Sequence, residues 1–234
     1  MRIRIAFTKK DEAKYIAHLD LIRLFDRALR RASIRMAYSE GFNPHPKISF
    51  ASALAVGVEG EREYVDLELK TENDLAEVLT DLQKQLPLGI LILEGQRVQP
   101  GAKALMSAIN AASYRIYFPV ISPIQEQRLQ EAIHSWLNRE HVMFTRSNKK
   151  GPTEKDIRPW VKNMSGSVGM DEMILELDIE MGSQGTVRPE EVVASLADLE
   201  DLPIDLERIR ILRTGMYIDQ NGKKRTPFEE NTGM

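Results

Sequence analysis

The sequence of 234 residues contains no cysteine and only four histidines, His18, His45, His134 and His141. Without thiols the chain cannot form disulfides, cysteine-ligated iron–sulfur clusters, thiolate zinc sites or a cysteine nucleophile. A transition-metal site would have to rely on carboxylates, and His18 and Asp20, two residues apart on a predicted helix, point too far apart to form a metal pair. We therefore expect the isolated chain to bind no metal and no cofactor.

Long apolar stretches are missing as well. No window approaches the roughly 18 uninterrupted apolar residues that a membrane helix needs, and the start, MRIRIAFTKK, lacks the apolar core of a signal peptide. These features predict a cytoplasmic protein without membrane association. Hydrophobic residues at 42% and charged residues at 29% are typical of a folded globular chain, here long enough for one large or two small domains.

Charge changes sign along the chain, although the net charge is only −3. Residues 1–50 hold eleven Lys and Arg against five Asp and Glu, whereas residues 51–100 hold four against ten. Residues 101–170 hold ten against five, and residues 171–234 hold seven against fifteen. This alternation fits either ordinary solvated faces or two basic surfaces that share one anionic partner.

The first half of the chain follows a recognisable order of elements. Polar and apolar residues alternate over 2–7, and apolar residues recur at helical spacing from His18 to Ser33. Further patterns predict strands over 47–53, 63–70 and 89–98, and a helix over 72–86 that ends before Pro87. The order strand, helix, strand, strand, helix, strand is that of the ferredoxin-like split βαβ fold.

A related order follows in the second half. It comprises predicted strands over 114–120, 142–146, 157–161, 173–181 and 209–218, and predicted helices over 123–138 and 188–199. We therefore predict an α+β fold of two tandem ferredoxin-like units with antiparallel sheets. The first covers residues 1–100 and the second residues 101–220, and the polar segment 221–234 is predicted to be a mobile tail.

The predicted helix over 18–33 carries a row of arginines within an arc of about 100°, opposite its apolar arc: Arg23, Arg27, Arg30 and Arg31. Asp20 and Asp26 are spaced to form surface ion pairs with Arg23 and Arg30, whereas the other two arginines have no such intrahelical acid. A guanidinium donates in a planar fork that suits phosphate oxygens. The row therefore predicts phosphate contact. His18 falls on the apolar arc, which favours a structural role for it.

The segment that follows reads Tyr38-Ser39-Glu40-Gly41-Phe42-Asn43-Pro44-His45-Pro46-Lys47. Gly41 permits a positive φ, and the two prolines restrict the backbone on both sides of His45. A stiff loop with this composition is typical of one that stacks a base and grips its phosphate. We predict that it binds nucleic acid through Tyr38, Phe42, Asn43, His45 and Lys47. The alternative is a turn in which Phe42 anchors in the core and His45 is merely exposed.

A second basic segment, which contains glycine and proline, lies in the second predicted unit. Its cations are Arg146, Lys149, Lys150, Lys155 and Arg158. We predict that Arg146, Lys149, Lys150 and Arg158 contact the same nucleic acid as the first segment. The two segments would then converge in a cleft between the units.

Several runs of residues carry a more specific signal: His18-Leu19-Asp20, Arg27-Ala-Leu-Arg-Arg-Ala32, Tyr38 through Phe50, Ala55-Val-Gly-Val-Glu-Gly-Glu61, Arg146 through Gly151, and Lys155 through Pro159. In these runs the chain resembles a family of unknown function encoded beside, or fused behind, radical SAM enzymes of the cobalamin-binding type. The resemblance implies a radical SAM protein as partner. It does not imply a reaction.

Three functional hypotheses remain open at this point. The first is a non-catalytic accessory protein that binds RNA and presents tRNA or rRNA to a partner radical SAM modification enzyme, although the aromatic signature of RNA recognition motifs is absent. The second is a metal-independent ribonuclease that resembles CRISPR repeat-processing endonucleases, with His45 as general base and Lys47 stabilising the departing charge. The sequence lacks the glycine-rich loop that is expected near the end of those endonucleases. The third is a protein-only scaffold that docks the radical SAM partner.

Overall fold

The computed structural model describes residues 1–119, 122, 124–148, 151–170, 172–182 and 185–229. The fold is a mixed α+β arrangement of mostly antiparallel strands with few helices, which confirms the predicted fold class at that level. The chain divides into two compact units. Unit 1 comprises Met1–Asn110 together with Gly215–Met234, and unit 2 comprises Ala111–Thr214.

Unit 1 begins with seven elements in chain order: β1 (Arg2–Lys9), α1 (His18–Arg31), β2 (Ile48–Phe50), β3 (Glu59–Glu68), α2 (Leu75–Gln83), β4 (Ile92–Arg97) and α3 (Leu105–Ala108). A short 3-10 helix, Asp11–Tyr15, precedes α1. Strand β3 pairs with β1 and with β2, and β4 pairs with β1, all antiparallel. Helix α1 ends two residues earlier than predicted because Ser33 has a φ of 59°.

The core of unit 1 lies between the sheet and its helices. Because alternate residues of a strand face opposite sides, Ile3 and Phe7 of β1 are both fully buried on the helix side. Phe25 of α1 packs edge-on against Phe7 and Phe50, with ring centroids 5.2 and 5.4 Å apart. The ring of His18 lies 5.6 Å from that of Phe50, so His18 packs on this aromatic cluster.

Unit 2 contributes nine elements: β5 (Ala111–Pro119), α4 (Glu126–Leu137), β6 (Met143–Asn148), β7 (Gly151–Asp156), β8 (Val161–Val168), β9 (Glu172–Gly182), β10 (Gly185–Thr186), α5 (Pro189–Leu199) and the first part of β11 (Arg210–Gln220). Strand β9 pairs antiparallel with both β5 and β8, and β11 is the other neighbour of β5. Trp136 of α4 is fully buried and donates from Nε1 to the hydroxyl of Ser195 on α5 at 3.0 Å. This bond joins the two helices inside the core.

The segment between α4 and β8 differs from its prediction. Strands β6 and β7 form a hairpin of their own, outside the main sheet. The strand predicted over 157–161 is a 3-10 turn, Arg158–Trp160, because Pro159 restricts the backbone and the carboxylate of Asp156 accepts the amide of Arg158 at 3.1 Å.

The second face of the sheet in unit 1 carries a buried ion pair. Arg4 is 1% exposed and donates to both carboxylate oxygens of Asp66, at 2.8 and 3.0 Å. Its remaining terminal nitrogen donates to the backbone oxygen of Pro227 at 2.8 Å. All polar groups of a buried guanidinium need partners, so Arg4 binds the C-terminal segment to the sheet.

Residues 221–229 therefore differ from the predicted tail. A short strand, β12 (Lys223–Arg225), pairs with the end of β11, and Phe228 is 3% exposed with its ring 5.6 Å from that of Tyr64. The buried aromatic ring and the contact with Arg4 explain why this polar segment packs on unit 1. Residues 230–234 lie outside the described residues.

Candidate nucleic-acid interface

The arginines of α1 fall into two groups by their partners. Arg23 forms an ion pair with Asp20 at 2.9 Å, and Arg30 forms one with Asp26 at 3.0 Å. These are the two intrahelical pairs that the spacing indicated. The guanidinium of Arg30 also lies 3.4 Å from the hydroxyl of Tyr38, which links the helix to the loop that follows it.

The remaining two arginines line a groove between α1 and the residues after α2. Arg31 donates to the backbone oxygen of Gln85 at 2.7 Å and to its side-chain oxygen at 3.2 Å. Arg27 is exposed, and within the described part of the chain it has no hydrogen-bonding or ion-pair partner. The groove has a volume of about 630 Å³, with Leu24 and Leu86 among its apolar lining residues. We call it the α1–α2 groove.

A second groove, of about 690 Å³, lies on the other side of the end of α1. An antiparallel bridge between Met36 and Leu69 brings Arg35 next to Lys70, whose amide donates to the backbone oxygen of Arg35 at 2.8 Å. Both side chains are exposed and line the groove, and neither has a side-chain partner among the residues described. We call this the Arg35 groove; its lining also includes Arg30, Ile34, Met36, Ala37 and Tyr38.

The loop over 38–47 is a short hairpin fixed at its base. Tyr38 bridges to Pro46, the amide of Ser39 donates to the oxygen of His45 at 2.9 Å, and the amide of His45 donates back to the hydroxyl of Ser39 at 3.0 Å. Gly41 has a φ of 120°, a value that favours glycine, at the turn. The loop is therefore held by its own backbone.

The tip of this hairpin projects into solvent. Phe42 is fully exposed, at 105%, and Tyr38 at the base is 42% exposed. The alternative in which Phe42 anchors in the core is therefore wrong. Asn43 and His45 are also exposed. A fully exposed aromatic ring on a loop fixed at its base remains available to stack on a nucleic-acid base.

Lys47 and Glu68 form an ion pair of 3.0 Å at the edge where the loop rejoins the sheet. The amide of Glu68 donates to the oxygen of Lys47 at 3.1 Å, and the amide of Lys47 donates to that of Ala37 at 2.9 Å. Lys47 thus has a carboxylate partner that the sequence did not indicate. Its charge is already balanced before any ligand binds.

The basic segment of unit 2 has extensive internal contacts. Arg146 binds Glu191 through two hydrogen bonds of 2.7 and 2.9 Å, which joins the β6–β7 hairpin to the start of α5. Arg158 donates to the backbone oxygen of Leu137 at 2.7 and 3.0 Å, where α4 ends. Lys149 and Lys150 lie outside the described residues. That the two basic segments share one cleft stays a prediction.

A histidine–carboxylate pair closes the base of the β6–β7 hairpin. Nδ1 of His141 lies 2.8 Å from Asp156, whose other oxygen accepts the amides of Val142 and Arg158 at 3.0 and 3.1 Å. The hydrogen bond to Asp156, together with the nearby charge of Glu140, raises the pKa of His141. Partial burial tends to raise the pKa of Asp156, but the hydrogen bonds from His141 and the two amides outweigh it, so the pKa of Asp156 is lowered.

We expect the NMR titration midpoint of His141 to lie above the ordinary histidine value of about 6.5. Because the pKa of His141 is higher in the folded than in the unfolded state, protonated His141 stabilises the fold. This stabilisation is fully present below the unfolded-state pKa and is lost as pH rises through the folded-state pKa. In an Asp156→Asn variant, which keeps an oxygen acceptor for the two amides, the midpoint should fall. An unchanged midpoint in that variant would show that Asp156 is not the cause.

Among the residues described, no helix is both long and apolar enough to cross a membrane. Within the same ranges, no group of three or more His, Asp or Glu side chains is arranged to hold a metal ion.

Comparison with known proteins finds solved structures of similar fold and a sequence family that includes this chain. A chain in the crystal structure of a Cbf5–Nop10–Gar1 complex has a TM-score of 0.52 at 8% identity, over 92% of this chain and 48% of that one. A chain in the archaeal box H/ACA sRNP Nop10–Cbf5 complex has a TM-score of 0.48 at 8% identity, over 98% of this chain and 53% of that one. This chain spans about half the length of both.

At such low identity the likeness concerns the fold alone, and no curated protein matches the sequence. The family model described as an uncharacterized protein conserved in bacteria (DUF2344) matches residues 2–189, and the chain therefore belongs to this family.

Proposed function

We propose that the protein is an accessory RNA-binding protein of the cytoplasm that presents tRNA or rRNA to a partner radical SAM modification enzyme. One observation carries the RNA-binding part: three exposed cations without side-chain partners in the described structure, Arg27, Arg35 and Lys70, line two grooves at the end of α1. The exposed hairpin tip with Phe42 follows directly in the chain.

Cations that are not already paired contribute most to binding a phosphate backbone. An arginine in an ion pair must give up or share its carboxylate when phosphate binds, whereas a free one exchanges only water and counterions. Arg27, Arg35 and Lys70 are cations without such a partner in the described structure. Arg30 and Arg31 line the same two grooves and add positive charge, although each already has a protein partner.

The partner enzyme rests on the sequence resemblance to the radical-SAM-linked family. The sequence contains no cysteine, so this chain could not ligate with thiolates the iron–sulfur cluster that radical SAM chemistry needs, and that chemistry would belong to the partner. We also propose that both units are ferredoxin-like. The strand neighbours β2-β3-β1-β4 in unit 1 and β8-β9-β5-β11 in unit 2, each with two helices between strands, support this.

The ribonuclease alternative is less favoured because Lys47, its proposed charge stabiliser, is held by Glu68 at 3.0 Å. A scaffold that binds only protein predicts no dependence of RNA affinity on the two grooves. The triple variant Arg27→Gln, Arg35→Gln and Lys70→Gln, which removes three positive charges, distinguishes this scaffold from RNA presentation.

We expect this triple variant to bind pooled tRNA and fragmented rRNA at least about tenfold more weakly than wild type at low salt. The slope of log affinity against log salt should fall by roughly 0.7 to 0.9 for each phosphate that the variant no longer neutralises. Fluorescence anisotropy over a salt series measures both quantities.

The matched control is Lys10→Gln, Arg115→Gln and Lys162→Gln, which removes three partly or fully exposed cations that are already ion-paired to Glu61, Glu176 and Glu180. It changes the net charge equally and should retain most of the affinity. If the first triple variant binds RNA as tightly as wild type at low salt, we would abandon RNA presentation in favour of the protein-docking scaffold.

A further inference from the structure

We infer that the Arg35 groove is a site for one unpaired nucleotide, with its phosphate between Arg35 and Lys70 and its base on the ring of Tyr38. The inference rests on the proposed function and narrows its substrate from RNA in general to a single-stranded segment. Arg35 and Lys70 were not among the residues that the sequence indicated.

The two cations of this groove are placed by the backbone. The bridge between Met36 and Leu69, and the hydrogen bond of 2.8 Å from the amide of Lys70 to the oxygen of Arg35, fix both Cα positions. Neither side chain has a carboxylate partner, and no acidic side chain lines the groove among the residues described. A phosphate can therefore bind both without displacing a protein anion.

The remaining lining suits a base. Ile34, Met36 and Ala37 contribute apolar surface beside the half-exposed ring of Tyr38. The volume of about 690 Å³ lies within the range of about 300 to 1,000 Å³ that is usual for small-ligand sites. Arg30 lies 3.4 Å from the hydroxyl of Tyr38 while Asp26 holds its guanidinium, so both side chains at this wall of the groove have defined partners.

The hairpin adds a second stacking surface. Phe42 is fully exposed on a loop fixed at its base by hydrogen bonds between Ser39 and His45. Bases in a duplex stack on each other and offer their faces only at the ends, whereas an unpaired strand offers every face. An aromatic ring on a loop whose base is already fixed gains binding energy from an unpaired strand at a reduced ordering cost. This favours single-stranded over duplex RNA.

The test compares an unstructured 12-nucleotide RNA with the same sequence annealed to its complement, by anisotropy at fixed salt. We expect the single strand to bind wild type at least about fivefold more tightly, and Tyr38→Ala and Phe42→Ala each to remove at least about fivefold of that affinity. The salt slope should stay constant in both, because stacking is not a charge effect. In Arg35→Gln and Lys70→Gln the slope should fall.

Two controls separate stacking from damage to the fold. Tyr38→Phe keeps the ring and should keep most of the affinity, and Leu88→Ala removes another exposed apolar side chain of unit 1, 94% exposed, and should have no effect. Duplex binding equal to or tighter than single-strand binding, with the dependence on Arg35 and Lys70 intact, would overturn this inference and leave RNA binding standing. Unchanged single-strand affinity in both Tyr38→Ala and Phe42→Ala would also overturn this inference and leave RNA binding standing. Absence of binding to either RNA would overturn both proposals.

Discussion

An Asp66→Ala variant is expected to lower the free energy of unfolding of unit 1 by about 3 to 5 kcal/mol. Arg4 is 1% exposed, and Asp66 accepts two of its hydrogen bonds, at 2.8 and 3.0 Å. The substitution leaves a buried guanidinium charge without its counterion, which is strongly destabilising. Denaturant titration followed by circular dichroism measures the decrease.

Two further variants test whether removal of the charge pair is the cause. Asp81→Ala breaks an exposed pair with Lys84 and should cost no more than about 1 kcal/mol. The double variant Arg4→Met with Asp66→Leu removes both charges and should recover most of the stability, since apolar replacements of a buried pair are often neutral or stabilising. If Asp66→Ala is no more destabilising than Asp81→Ala, the buried pair does not stabilise unit 1 as described.

Ending the chain after Thr226 is expected to destabilise unit 1 by about 3 to 5 kcal/mol, the usual cost of removing a buried Phe ring. The truncation removes Phe228, which is 3% exposed against Tyr64, and the backbone oxygen of Pro227 that accepts from Arg4 at 2.8 Å. Thermal unfolding compares it with a chain ended after Glu229, which retains both interactions. Equal melting temperatures for the two chains would contradict a structural role for residues 227–229.

The sequence predicted the elements whose side chains follow a clear period. The arc of α1 that carries Phe25 is apolar at helical spacing, and the helix begins at His18 as expected. Strand β8 was not predicted, because its sequence, VKNMSGSV, fully buries only Val161 and Met164, and small or polar side chains separate them from the partly buried Val168. Its pairing with β9 is set by the neighbouring strand, which no local pattern in β8 records.

The candidate site shows the same division between local and distant contacts. The absence of an acid three or four residues away on the helix predicted that Arg27 would be unpaired, and it has no partner in the described structure. The same reasoning left Arg31 free, but Arg31 binds Gln85, 54 residues away. Arg35 and Lys70 meet only because β-bridging joins their neighbours. Contacts of that kind depend on the fold and leave no spacing in the sequence.

Unit 1 is interrupted by the whole of unit 2, and this affects the order in which the chain can complete its cores during translation. Arg4 and Tyr64 emerge early, but Pro227 and Phe228, which contact them, emerge only after residues 111–214. At about 5 to 20 residues per second, that delay is on the order of 10 s. Unit 2 is completed at Thr214, before Pro227 and Phe228 are synthesised. The N-terminal unit therefore cannot be complete first, the reverse of the usual N-to-C order for domains on the ribosome.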